Sequence, residues 1–454
     1  MTSLGRTARE LLALATPVVV VQVGLMTMGV VDTVMVGRVS ATNLAAVALG
    51  SLYFFSVSIF GIGVLAALDP VVSQAVGAKD HAAVTRGVQR GLLLAITLSA
   101  LSALLLWPAH SVLALFSQPP DVVPIAAAYA RTLIPGLLPF FVFFVLRQSL
   151  QAMGHVAPLV VAIVLANLVN VLLDWALIFG RLGMPALGAV GAGWATSISR
   201  LLMTLGLLVA SWRWMRPHLE SFHRDVLAFA PLVRMLRIGV PIGLQHQLEF
   251  GAFGVTALLM GTLGTVPMAA HQVAINLASL TFMVPLGVGG AAAILVGRAV
   301  GRDDPAGARS AAAASVVVGV GFMAASAALM LALPGPLARL YTNEPAVLSL
   351  AATLIPIAGL FQVFDGTQVV ALGALRGIGD TRAPMLLCLV GFWLVGLPVS
   401  VWLGFYAGGG PIGLWWGFVA GLAAVAFLLL LRTRRRFRGS LARIVVEEKA
   451  ARLV

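Results

Sequence analysis

Apolar runs of about 20 residues, separated by short stretches of Gly, Pro and charged residues, recur from Leu11 to Leu431. A helix crossing a ~30 Å hydrocarbon layer needs a run of that length, so each one predicts a spanning helix. Twelve are predicted, over 11–36, 45–70, 88–108, 124–149, 157–180, 188–212, 235–263, 270–297, 309–333, 347–373, 383–406 and 411–431. The strict alternation of a barrel strand is missing. Prolines inside these spans (Pro17, Pro135, Pro139, Pro241, Pro285, Pro356, Pro398) are expected to bend them.

The pattern repeats. VSQAVGAKDHAAVTRG from Val72 matches VGRAVGRDDPAGARSA from Val296, an offset of 224 that also pairs Pro17 with Pro241 and Ala45-Ala46 with Ala269-Ala270. Two copies of six helices each share one topology, because an even number of spans returns the chain to its starting side. The expected fold is an all-α integral membrane protein of two pseudo-symmetric six-helix bundles around a central cavity, the architecture of alternating access. The expected layout is an N-lobe over 1–212, a polar linker over 213–234, a C-lobe over 235–431 and a basic tail over 432–454.

Composition agrees with this. Of 454 residues 60% are hydrophobic and 10% charged, and the mean hydropathy is +1.02, far from soluble domains. The net charge of +13 does not point to nucleic acid, since the 29 Lys and Arg lie mainly in short loops and in RTRRRFR (432–438). With the N-terminus inside, about 24 of them are assigned to the inner side, about four to the outer side and Arg200 to a span. Both termini are therefore expected to be cytoplasmic, in a cell inner (plasma) membrane, with the basic loops against lipid headgroups. The single Cys388 offers no disulfide framework. The first apolar run reads as a spanning helix, since it is long for a cleavable signal.

Four acids lie well inside apolar spans: Asp32, Asp174, Glu249 and Asp365. An ionisable group in hydrocarbon is costly, so each is either a satisfied structural polar group or part of a site. Asp32, Asp174 and Thr196 fall at comparable depth, and Asn170 shares a helical face with Asp174. Two carboxylates, an amide and a hydroxyl are hard oxygen ligands, suited to Na+ or to a shared proton. Glu249 and Asp365 form a second pair. The offset maps Glu249 to Leu25 and Asp32 to Thr256, so each half carries its own acids. His246 could tune Glu249 or serve as a packing or hydrogen-bonding residue, Arg200 could neutralise a carboxylate, snorkel or hydrogen-bond between helices, and Asp69 reads as interfacial. The Phe-rich PFFVFF (139–144) reads as lipid-facing or core.

No GxxxxGK[ST], HExxH or GxSxG occurs, so ATP drive and common hydrolytic chemistry lack support, and no enzyme activity is expected. An ion gradient is left as the energy source. VGLMTMGVVDTVMVGRVSATNLAAVALGSL (23–52), GVPIGLQHQLEF with its continuation to 289, and FQVFDGTQVVALGALRGIGDT (361–381) closely resemble the multidrug and toxic compound extrusion (MATE) family, in its NorM-like branch. The resemblance spans nearly the whole chain. It implies a multidrug efflux antiporter exporting organic, often cationic, compounds in exchange for H+ or Na+. Asp32 resembles the family's essential first-helix acid; Asn170, Asp174 and Thr196 resemble its partners, holding Na+ if the protein is sodium-coupled. Glu249 and Asp365 resemble the C-lobe acids. The coupling ion apart, no cofactor is implied, and two complete lobes make a monomer sufficient. A related two-lobe flippase for lipid-linked oligosaccharides is the alternative, but its pyrophosphate cargo calls for a basic cavity where this chain places acids.

Overall fold

The computed structural model of the chain describes residues 3–115, 118–220 and 224–446. Among them there is no strand. The first half holds α1 (Ser3–Gly37), α2 (Ala41–Leu65), α3 (Leu68–Gly77), α4 (His81–Leu106), α5 (Ala109–Leu115), α6 (Val123–Thr132), α7 (Leu137–Met153), α8 (Ala157–Phe179), α9 (Ala189–Ala210) and α10 (Trp212–Leu219). The second holds α11 (Phe229–Thr262), α12 (Thr265–Gly301), α13 (Pro305–Ala332), α14 (Pro334–Arg339) and α15 (Pro345–Gly377). Two more helices follow, α16 (Arg382–Tyr406) and α17 (Gly410–Arg438).

Ten of these are long and apolar enough to cross a membrane, α2 and α3 counting as one. The eleventh crossing is the pair α6 and α7, bent by 50°. Pro135 lies in that break, where it can neither donate a backbone hydrogen bond nor fit a continuous helix. The twelfth, α11, has 34 residues, but Gln245, His246, Gln247 and Glu249 in its middle lower its hydropathy. Pro17, Pro241, Pro285 and Pro356 sit inside unbroken helices. Part of the expected linker is the helix α10, and the basic RTRRRFR continues α17. Residues 221–223 of the linker and 447–454 of the tail lie outside the described residues.

Each repeat copy makes the same turn at the same place. Lys79 and Asp303 take left-handed conformations, with φ of 56° and 57°. The aspartate that follows each caps a helix, Asp80 accepting from Ala83 N at 3.0 Å and Asp304 from Gly307 N at 2.8 Å, a local bond worth about 1 kcal/mol.

The chain gathers into two compact units. The C-terminal unit comprises the described residues up to Val19, with Ser73–Lys79 and Leu244–Val445; the N-terminal unit comprises Val20–Val72 and the described residues of Asp80–Gly243. The start of α1 thus joins the second copy, and the start of α11 joins the first. Glycines mark both contacts: a Cβ at Gly63 would come 2.5 Å from Gly243 Cα, and one at Gly287 would strike Val19. The two pairs are images under the 224-residue offset. In the C-terminal unit α15 packs on α12, α13 and α17, over a core that includes Phe361, Trp415 and Phe418. In the N-terminal unit α8 packs on α9, and α7 on α4 and α9.

Candidate functional site

Asp32 lies in the second half of α1 and is 3% exposed. Its Oδ1 accepts from Asn170 Nδ2 at 3.2 Å and its Oδ2 from Thr196 Oγ1 at 2.6 Å. Asn170 and Asp174 stand one turn apart on α8, both fully buried, and Thr196 projects from α9. The Asp174 carboxyl lies against that of Asp32. Neither of its oxygens has a donor, nor does Asn170 Oδ1. The four residues expected to act together are therefore brought together. Helix α9 reaches this position through GAGW, where Gly193 packs directly on Thr132 and Tyr129.

The surroundings settle readings that the sequence left open and add Tyr129, which it did not point to. Arg200, one turn beyond Thr196, is buried rather than snorkelling, its guanidinium 4.6 Å from the ring centre of Phe54 and 4.3 Å from that of Phe140. Phe140, Phe141, Phe143 and Phe144 of PFFVFF are all buried, and two of them, Phe140 and Phe144, each serve as a face for a cation, a contact worth roughly 1–2 kcal/mol when desolvated. Buried Tyr129 shares a 3.1 Å hydrogen bond with Ser51. A lone Arg in an aromatic-rich pair of spans was the only trace of this arrangement in the sequence.

The charge balance gives the group its chemistry. Two carboxylates in contact face one nearby cation, Arg200, whose charge acts on Asp32. With both carboxyls ionised the cluster is one positive charge short, a deficit that a single proton or small cation would balance. The oxygen-only donor set fits a hard ion. Among the described residues no group of three or more His, Cys, Asp or Glu could hold a metal.

Glu249 and Asp365 occupy the C-terminal unit. Glu249, half-buried on α11, accepts from Gln368 Nε2 at 3.2 Å. Asp365 lies three residues before Gln368 on α15, is 5% exposed and feels the charge of Glu249. Its Oδ1 has no donor. Arg376 acts on Glu249 from farther along α15, and Trp393 Nε1 donates to Leu248 O at 3.0 Å, tying α16 to this turn. The hydrogen bond to Glu249 comes from Gln368, not from His246. Gln362 and Gln368, at −3 and +3 from Asp365, were legible as one helical face but were not singled out. Asp69 is 5% exposed, and its charge acts on buried Arg147; a buried acid needs such a partner.

The model of the MatE family matches residues 17–176 and 241–402. The two matches begin at Pro17 and Pro241, the offset of the repeat. The chain belongs to the MatE family. This MatE protein is a membrane transporter, not an enzyme. It is 38% identical over 442 residues to the probable multidrug resistance protein NorM of Mesorhizobium japonicum, covering 95% of this chain and 94% of that one. To the multidrug resistance protein PmpM of Pseudomonas aeruginosa it is 36% identical, over 86% of this chain and 83% of the relative. Its fold matches the crystal structure of the eukaryotic MATE transporter AtDTX14 with a TM-score of 0.86 at 24% identity, covering 96% of this chain and 99% of that one.

Proposed function

We propose that the protein is a secondary active multidrug efflux antiporter that exports organic, often cationic, compounds in exchange for H+ or Na+. The Asp32 cluster carries this reading: two buried carboxylates, an amide and a hydroxyl, short of one positive charge, form a seat for a coupling ion inside the apolar layer. Asp32 and Asp174 hold the ion or proton, while Asn170 and Thr196 orient Asp32. Glu249 and Asp365 serve the cationic cargo or a second ion, with Gln368 fixing Glu249. Occupation of each acid by its cation favours one arrangement of the two lobes over the other, and alternating access follows. The protein works as a monomer in the inner membrane, with both termini cytoplasmic and its basic loops against anionic lipid.

Efflux of ethidium from proteoliposomes, with a Na+ gradient and a pH gradient imposed separately, tests this. Efflux driven by one gradient supports the antiporter and names its ion. No efflux under either, with binding of a lipid pyrophosphate, would replace it by the flippase.

A further inference from the structure

Polar contacts at three levels hold α1 within the N-terminal unit, and Asp32 provides only the last of them. Arg147, on α7, donates from Nη1 to Gln22 Oε1 at 2.8 Å. Asn167, on α8, donates from Nδ2 to Gly24 O at 3.0 Å. Asn170 and Thr196 then reach Asp32.

The two lower contacts are built tightly. Asn167 Nδ2 also donates to Ile163 O at 2.8 Å, so the amide faces two carbonyls and would lose both bonds by flipping. Gly24 permits the approach, because a Cβ there would strike Ile163 and lie 3.4 Å from Asn167 Nδ2. Arg147 is 8% exposed, its guanidinium 4.4 Å from the ring centre of Phe144. A guanidinium so buried cannot exchange its partners for water at low cost.

Their place along α1 is telling. The helix up to Val19 groups with the C-terminal unit, and Pro17 interrupts its hydrogen-bond ladder. Gln22 and Gly24 lie just beyond that change of unit. From Gly24 to Asp32 is ~12 Å of helix, and Asn167 and Asn170, three residues apart on α8, meet the two ends of that stretch. We infer that Asn167 and Arg147 are positioning residues for Asp32. They clamp the Gln22–Gly24 turn to α8 and α7, so the Asp32 carboxylate keeps its register with Asn170 and Thr196 when the first part of α1 moves. Neither residue hydrogen-bonds to Asp32, Asn170, Asp174 or Thr196. The inference rests on the reading that Asp32 takes the coupling ion.

The test uses the full chain in proteoliposomes and lipid nanodiscs, with Asn167→Ala, Arg147→Ala and the conservative Arg147→Lys. Backbone hydrogen exchange over residues 20–32 reports the clamp; it should rise in both alanine variants and stay near wild type in Arg147→Lys. The half-saturating concentration of the ion that drives ethidium efflux reports the register. Loss of one hydrogen bond worth ~1 kcal/mol predicts about a fivefold rise in Asn167→Ala, with ethidium affinity unchanged. Unchanged exchange overturns the clamp; raised exchange with unchanged half-saturation overturns its positioning role. Asp32→Asn is run alongside: if it keeps the wild-type ion dependence, the reading of Asp32 fails and takes the inference with it, whatever the exchange data. Should Arg147→Ala fail to fold, Gln22→Ala removes the same bond from the α1 side.

Discussion

The two buried acid sites differ in how completely their carboxylates are held. In the N-terminal unit both oxygens of Asp32 are taken by donors from two other helices, while neither oxygen of Asp174 beside it has a donor. In the C-terminal unit Glu249 has the one donor Gln368 and is half-buried, while Asp365 Oδ1 has none. The frame around them is nonetheless duplicated: Asp80 and Asp304 cap alike, and Gly63 and Gly287 receive the exchanged helix starts. At the position of Asp32 the second copy has Thr256, whose hydroxyl only donates to Ala252 O within its own helix. Backbone contact at glycine leaves no room for divergence, whereas a side chain facing a polar pocket can change its chemistry and keep the fold. On the proposed function, the doubly held Asp32 suits a small ion of fixed size, and the less fully held Glu249 and Asp365 suit cargo of varied shape.

Separate variants of the two sites should break this comparison most sharply. Asp32→Asn is expected to abolish ion-driven efflux at wild-type expression, while Glu249→Gln with Asp365→Asn should weaken ethidium binding about tenfold, ~1.4 kcal/mol. Identical effects on ion dependence and dye affinity would mean that the sites are not specialised. The next largest effect concerns the frame. Gly63→Ala forces a Cβ onto backbone, at Gly243 Cα, whereas at Gly287 it first meets the side chain of Val19, which can turn. Overpacking costs ~1–3 kcal/mol, and thermal melting should fall further for Gly63→Ala than for Gly287→Ala. Thr196→Ala removes one of the donors to Asp32, and at ~1 kcal/mol should raise the half-saturating ion concentration about fivefold, leaving dye affinity alone.

The smallest effect lies outside the membrane spans. His218 on α10 shares a 2.8 Å hydrogen bond with Thr85 through Nδ1, and burial, with His81 adding to it, pushes its pKa below the usual 6.5. The folded imidazole therefore binds protons less readily than the unfolded one. Its contribution is present above pH 6.5 and is lost as pH falls below it. Thermal melting measured at pH 7.5 and 5.5 should show a smaller acid loss in His218→Gln than in wild type.

Much of the frame was legible along the chain. Apolar run length gave the crossings, and the one that hydropathy understates, α11, is weakened by the very glutamines, histidine and glutamate that make it chemically interesting. The four-residue spacing of Asn170 and Asp174 gave one edge of the ion site. The partner of Asp69, Arg147, was not legible because it is remote in sequence. Arg200 was left between two fates because the rings that receive it, Phe54 and Phe140, come from two other helices.

The sequence by itself determined the number of spans, the duplication and the identity of the acids buried in them, because hydropathy, spacing and offset are properties of one strand of residues. Only the tertiary structure decided that Asp32 meets Asn170 and Thr196, that Glu249 meets Gln368, and that the starts of α1 and α11 change units. Those outcomes depend on the rotation and close approach of helices more than a hundred residues apart, and no local pattern encodes which faces meet until the glycines and side chains are packed together.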